Sequence, residues 1–256
     1  MDYHHIKNKR GQVTIFIIIA VVLIGVALLF YFLLPKFQTR IVFDEDNPQD
    51  FIQMCLEEKI EDTVKTISLQ GGSMEPTHHF TYDDKPIEYL CFTNENYKTC
   101  VIQQPLLRQH VEIEVENEIQ GDVDICFSSL KDHYERRGFD VKMDPGRTSV
   151  EILPNRITTR FNYVLTVTKS ITDRHDSFSI TLNNNLYESI EIANSILEWE
   201  AIYGNADPRS YMLFYPDISV EKNLRDDGTK IYIISERDTE NKFQFASRSL
   251  VTLPGY

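Results

Sequence analysis

No CxxC pair occurs in this chain, which excludes the usual zinc-ribbon and thioredoxin-like arrangements. The patterns G-x-S-x-G, H-E-x-x-H and G-x-x-x-x-G-K-[ST] are missing too. Neither a nucleophile elbow, a zincin helix nor a phosphate loop is therefore framed. Among many asparagines there is no N-x-[ST] acceptor for a glycan. No repeat of about 20 to 50 residues and no low-complexity tract is visible, which sets aside solenoids and propellers. Basic residues are scarce: Lys and Arg number 26 against 39 Asp and Glu, a formal charge of −13 over 256 residues. Lys7, Lys9 and Arg10 against Asp2 leave the first 34 residues at +2, so the other 222 carry −15. An acidic surface of that size disfavours nucleic acid and anionic headgroups as partners. With no framed chemistry, the expectation is no enzyme, no cofactor and no metal centre.

What stands out instead is VTIFIIIAVVLIGVALLFYFLL at residues 13–34, a run of 22 from Val13 to Leu34 without charge, Asn, Gln or Pro. As a helix it would reach roughly 33 Å, enough for a bilayer core of about 30 Å. The chain therefore reads as a soluble body tethered to lipid through residues 13–34. Lys7, Lys9 and Arg10 precede the run, and Lys36 and Arg40 follow it before Asp44, Glu45 and Asp46. That balance favours a cytoplasmic basic N-region at 1–12 and export of everything beyond. The run ends LLPKFQ with no A-x-A site, so the segment should stay as an anchor. Pro35 stops the helix, and 35–47 reads as an extended linker.

Lys9, Arg10, Gly11 and Gln12 form a junction, KRGQ, directly ahead of the apolar run. It resembles the class III, prepilin-like signals of archaeal surface proteins. That resemblance implies cleavage between Gly11 and Gln12. Two departures count against a filament role: Phe16 stands at the fifth mature position, where many pilins carry Glu, and Pro35 interrupts the long spine. More widely, KRGQVTIF, then a Cys-bearing helix ending LQGG at residues 69–72, then a β-rich region with one late helix resembles uncharacterised archaeal single-pass surface proteins. The wider resemblance implies location and lineage, with no activity attached.

Four cysteines, Cys55, Cys91, Cys100 and Cys126, lie beyond the run. An even count on an exported body points to two disulfides. Cys91 and Cys100 flank a turn-like NENYKT and would staple a hairpin. Cys55 and Cys126 each sit on a helical pattern and would join two helices. Loop entropy gives about 2.7 and about 4.4 kcal/mol for those pairings. The two other pairings stay open, as do four free thiols.

Asn47 and Pro48 mark a helix start. Phe51, Ile52, Cys55, Leu56, Ile60, Val64 and Ile67 continue at spacings of three and four. Gly71 and Gly72 end it. Residues 73–85 read as a polar loop holding His78, His79, Asp83 and Asp84, the one grouping with metal-ligand chemistry. Adjacent histidines diverge on regular backbone, so a solvated loop is expected there. Residues 87–92 and 97–102 read as a hairpin. A helix through Leu106, Val111, Val115 and Ile119 is expected to break at Gly121, with a second helix through Val123, Cys126, Phe127, Leu130 and Tyr134. His110 and His133 read as solvated or packed.

From Phe139 the period becomes two, predicting an antiparallel meander with a long strand at 157–168 and another at 178–182. Asn183–Asn185 should cap a covering helix with Leu186, Ile190, Ala193, Ile196, Leu197 and Ile202 inward and Trp199 close by. YMLFYP, KIYIISE and KFQFASR then read as closing strands. Their aromatics Tyr211, Phe214, Tyr215, Tyr232, Phe243 and Phe245 are core by default, with a ligand-stacking platform as the alternative.

The expected class is α+β: an N-terminal transmembrane helix, then helices packed on a mainly antiparallel sheet. The expected divisions are 48–136, helix-rich with the cysteine hairpin, and 137–256, a sheet with its covering helix. A membrane-anchored extracytoplasmic domain, with an envelope or surface protein as partner, is the functional expectation. A pilin-like minor filament subunit processed after Gly11 is the alternative.

Overall fold

The computed structural model describes residues 19, 22–24, 47–237, 239 and 241–251. The signal residues Gly11 and Gln12, and the linker up to Asn47, lie outside the described residues. So does the expected membrane run, apart from Ile19, Val22, Leu23 and Ile24, which are helical and exposed. Among the described residues no helix is long and apolar enough to cross a membrane. The chain divides into two compact units, Met1–Val42 and Phe43–Tyr256. The second is α+β, with mostly antiparallel sheets.

Helix α1 (Pro48–Leu69) starts on its signature: the Asn47 side chain accepts from the Gln49 amide at 3.0 Å and Pro48 occupies the first turn. Ile52, Leu56, Ile60, Val64 and Ile67 form its buried stripe. Gly71 and Gly72 follow at φ +88° and +105°. The Gly72 amide returns to the Ile67 carbonyl at 2.9 Å, closing the helix end.

The expected loop at 73–85 contains a strand. β1 (His79–Tyr82) turns through Asp83 and Asp84, both left-handed at φ 47° and 61°, into β2 (Lys85–Phe92). Two residues at positive φ are the geometry of a tight hairpin turn, which Asp tolerates. The expected hairpin partner at 97–102 shrinks to β3 (Val101–Ile102). Tyr97 is itself left-handed at φ 63°, and its amide bonds the Leu250 carbonyl at 2.6 Å instead of β2.

Helix α2 (Leu107–Arg136) is one rod of 30 residues, where a break at Gly121 was expected. Val111, Val115, Ile119, Val123, Phe127, Leu130 and Tyr134 keep one buried stripe straight through the glycine. A helical glycine costs about 1 kcal/mol relative to Ala. Each buried aliphatic contributes about 1.5–3 kcal/mol, so packing wins.

The meander exists, with a kink in the middle. β4 (Asp140–Asp144), β7 (Val164–Thr168) and β8 (Thr172–His175) form one three-stranded sheet; β5 (Thr148–Leu153), β6 (Arg156–Phe161) and β9 (Phe178–Asn183) form another. Between the pairs Asp144↔Val164 and Thr148↔Phe161 lie three residues on one strand and two on its partner. That is a bulge. It divides the expected long strand at Asn162–Tyr163. Gly146 sits at the crossing, where an added Cβ would fall 1.8 Å from the Asn162 carbonyl oxygen. Along the edge strand β5, Glu112 and Glu116 of α2 accept from the Ile152 and Val150 amides at 2.9 and 2.8 Å. These carboxylates occupy donors that would otherwise offer themselves to another chain.

Helix α3 (Leu186–Tyr203) buries Leu186, Ile190, Ala193, Ile196 and Leu197 and ends at Gly204, φ 72°. Ile202, expected inward, is exposed. YMLFYP is not a strand: its first residues lie in helix α4 (Pro208–Phe214), with Asp207 accepting from the Arg209 amide at 3.1 Å and Pro208 in the first turn. This is the same signature as Asn47-Pro48. The strand lies just after, as β10 (Ile218–Leu224), followed by β11 (Thr229–Glu236) and β12 (Lys242–Arg248). The large sheet runs β1-β2-β12-β11-β10, with β3 also on β2. β2 and β12 are parallel. The segments 48–136 and 137–256 therefore share one sheet and one hydrophobic core.

Gly121 is exposed on the α2 rod, and nothing lies within 4 Å of a Cβ there. Gly121→Ala should raise unfolding free energy by about 0.5–1 kcal/mol, read as a higher urea midpoint at unchanged slope.

Candidate functional site

The sulfurs of Cys55 on α1 and Cys126 on α2 lie at bonding distance, with Cα atoms 6.1 Å apart. Cys91 on β2 meets Cys100 across the short turn, Cα atoms 5.3 Å apart. Among the described residues no cysteine is free. The first pair ties the two long helices, and the second ties the loop before β3 to the sheet.

The histidine loop does not converge. The His78 ring packs on Tyr89 and Phe92 at 4.8 and 4.3 Å, whereas His79 Nδ1 lies 2.9 Å from the Pro76 carbonyl. Asp83 and Asp84 are used up as turn residues. Among the described residues no group of three or more His, Cys, Asp and Glu is placed to hold a metal ion. His133 packs 5.5 Å from the Phe51 ring.

His110 has company that spacing along the chain did not reveal. Its Nε2 is 2.8 Å from Ser73 Oγ, and Ser73 donates to the Glu88 carboxylate. Ser73 and Glu88 are buried. They border an open cleft of about 390 Å³ with Met74, Glu75, His110 and Glu114. A serine hydroxyl has one proton. Since that proton goes to Glu88, Ser73 Oγ can only accept from His110. In that arrangement Ser73 links the imidazole on α2 to the carboxylate on β2.

A second polar cluster lies inside the domain. Glu200 is fully buried. Its Oε1 accepts from the Ala206 amide at 3.2 Å and the Tyr232 hydroxyl at 2.5 Å; its Oε2 accepts from Lys230 Nζ at 2.6 Å and Ser247 Oγ at 3.3 Å. Lys230 also donates to the Gly204 carbonyl. Ser249 Oγ donates to the Glu200 carbonyl at 3.1 Å and accepts from the Cys100 amide at 3.0 Å. The carboxylate and the ammonium are thus both paired and hydrogen-bonded, the condition under which buried charge is tolerated. Burial, then the charge of Glu200 and the bond to it, push the Tyr232 phenol far above its ordinary value. The cluster pins the end of α3 to β11, β12 and the cysteine turn.

The surface feature of the domain is apolar. Trp199, Ile202 and Tyr203 at the end of α3, with Leu213, Phe214 and Tyr215 at the end of α4, are 50 to 83% exposed. Spacings of three and four put the α3 residues on one side of the helix, and the Trp199 and Tyr203 rings stand 4.9 Å apart. Ser195, Trp199, Asp207, Ser210, Tyr211 and Phe214 line a cleft of about 290 Å³ between the helices. Tyr211 is anchored there by its hydroxyl, 3.0 Å from Ser195 Oγ, and burial raises its phenol pKa. Of the aromatics expected in the core, Tyr232, Phe243 and Phe245 are there; Phe214 and Tyr215 stand in solvent. The signal that they belong to a helix was Asp207-Pro208.

Comparison with models of known protein families, with curated proteins and with solved structures finds no match to this chain.

Two outcomes follow from the buried cluster. Glu200→Ala leaves Lys230 buried without its carboxylate and should cost about 3–5 kcal/mol in urea unfolding. Glu200→Met with Lys230→Met should recover most of that loss. Tyr232 stays protonated when folded, while in the unfolded chain it ionises around 10.0. A folded pKa raised above the unfolded one gives stability that is full below pH 10 and falls as pH rises beyond it. The urea midpoint should therefore drop above pH 10, less steeply in Tyr232→Phe.

Proposed function

We propose that this chain is a membrane-anchored extracytoplasmic domain with an envelope interaction or structural role. The observation that supports it most is the pair of cysteine bridges placed in the described domain. Such bridges persist in oxidising compartments and are rare where thiols are kept reduced. The run at residues 13–34 supplies the anchor, with lipid as its partner, and the basic N-region sets the N-terminus on the cytoplasmic side. A protein partner is supported by the exposed apolar ledge on α3 and α4, since exposed patches of this kind mark interaction sites. A non-enzymatic role is supported by the sequence, which frames no catalytic motif.

The KRGQ junction favours a second reading, a pilin-like minor subunit processed between Gly11 and Gln12. One experiment addresses both. Intact cells carrying the full chain in its own envelope are treated with protease, and the recovered peptides are mapped without reduction. The anchored reading expects cleavage from outside, extraction by detergent only, and linked peptides holding Cys55 with Cys126 and Cys91 with Cys100. Four free thiols, or a chain released by alkaline carbonate, would overturn it. A mature N-terminus at Gln12 would shift the assignment to the filament reading.

A further inference from the structure

We infer that the α3–α4 ledge is the contact face of a two-fold symmetric homodimer. This goes beyond the anchoring proposal and does not depend on it.

The first argument is size. A fully buried aromatic side chain contributes roughly 150–250 Å². Trp199, Ile202 and Tyr203 on α3, with Phe214 across the cleft, at the exposures given above therefore present on the order of 500–600 Å² of largely apolar surface. A standard interface takes about 800 Å² from each partner, so this apolar centre supplies well over half of one.

The second is shape. An isologous contact uses the same patch twice, so that patch must carry both a projection and a recess. Phe214 is 80% exposed. It stands at the rim of the α3–α4 cleft, whose other walls are Trp199, Tyr211, Ser195 and Ser210. At about 290 Å³ the cleft has room for one aromatic ring. Two copies facing one another would each insert Phe214 beside the other's Trp199.

The third is charge. A body carrying −15 repels its own kind over most of its surface. At the ledge, Asp207 is neutralised by Arg209, 3.0 Å away, and Glu198 lies near Tyr211 at the border. A second acidic copy meets little unbalanced charge there. A strongly basic partner would find little to grip.

Trp199 is the chain's single tryptophan, so its emission reports on the ledge alone. The full chain in detergent is studied by sedimentation equilibrium and by Trp199 fluorescence over a dilution series. The wild type should be a dimer whose Trp199 emission shifts to the red on dilution. Phe214→Asp changes a side chain that already stands in solvent, so folding should survive, checked by circular dichroism. It should weaken the dimer about thirtyfold or more, the effect of losing a contact hot spot. A monomeric wild type overturns the proposal. So does a dimer that persists in Phe214→Asp with constant Trp199 emission, which places association elsewhere, for example in residues 13–34. A monomer whose emission shifts to the blue on neutral phosphatidylcholine vesicles assigns the ledge to lipid and also overturns it.

Discussion

Strands β2 and β12 lie side by side and parallel, joining an early part of the chain to its last strand. Most of the domain hangs on that contact. β12 carries Phe243 and Phe245 into the core and Ser247 to Glu200. β2 carries Cys91 to its bridge and Glu88 to Ser73. The Gln244 amide side chain reaches the Leu69 carbonyl at 2.8 Å, fixing the end of α1 against the same strand. A parallel neighbour cannot be reached by a tight turn, and here nearly the whole domain lies between the two strands. Contacts of such long sequence separation form late and slowly. The cysteine bridges shorten the search by holding α1 to α2 and β3 to β2.

Elements with local signatures were legible in the residues. Asn47-Pro48 and the stripe from Ile52 to Ile67 defined α1, and Gly204 closed α3. The two-residue period after Phe139 announced the meander. Three of the readings that went wrong did so for separate physical reasons. Gly121 signals a break when its cost stands alone, but seven buried side chains of α2 outweigh it. Asp83-Asp84 belongs to a turn that Gly or Asn would have announced more loudly. YMLFYP looks like a strand because its aromatics dominate the eye, yet Asp207-Pro208 caps a helix as firmly as Asn47-Pro48 does.

The polar clusters teach a related lesson. Glu200, Lys230, Tyr232 and Ser247 stand on α3, β11 and β12, and no spacing links them. A carboxylate facing inward in a helix is anomalous by pattern, and only its partners make it tolerable. Ser73, Glu88 and His110 are likewise brought together from a loop, a strand and a helix. The ledge is the reverse case: its residues are conspicuous in composition, and composition assigned them to the interior.

The amino-acid sequence by itself determined the apolar run at 13–34, the acidic balance of the rest, the α+β class and the helices that have caps and stripes. These depend on propensity and periodicity, which act over a few residues at a time. For the cysteines, local pattern suggested two pairings and the structure chose them over the others. Which strands are neighbours, whether Gly121 ends a helix and which aromatics stay in water were decided by tertiary structure alone. Each of those outcomes depends on distant side chains competing for the same buried space, and that competition leaves no mark in local spacing.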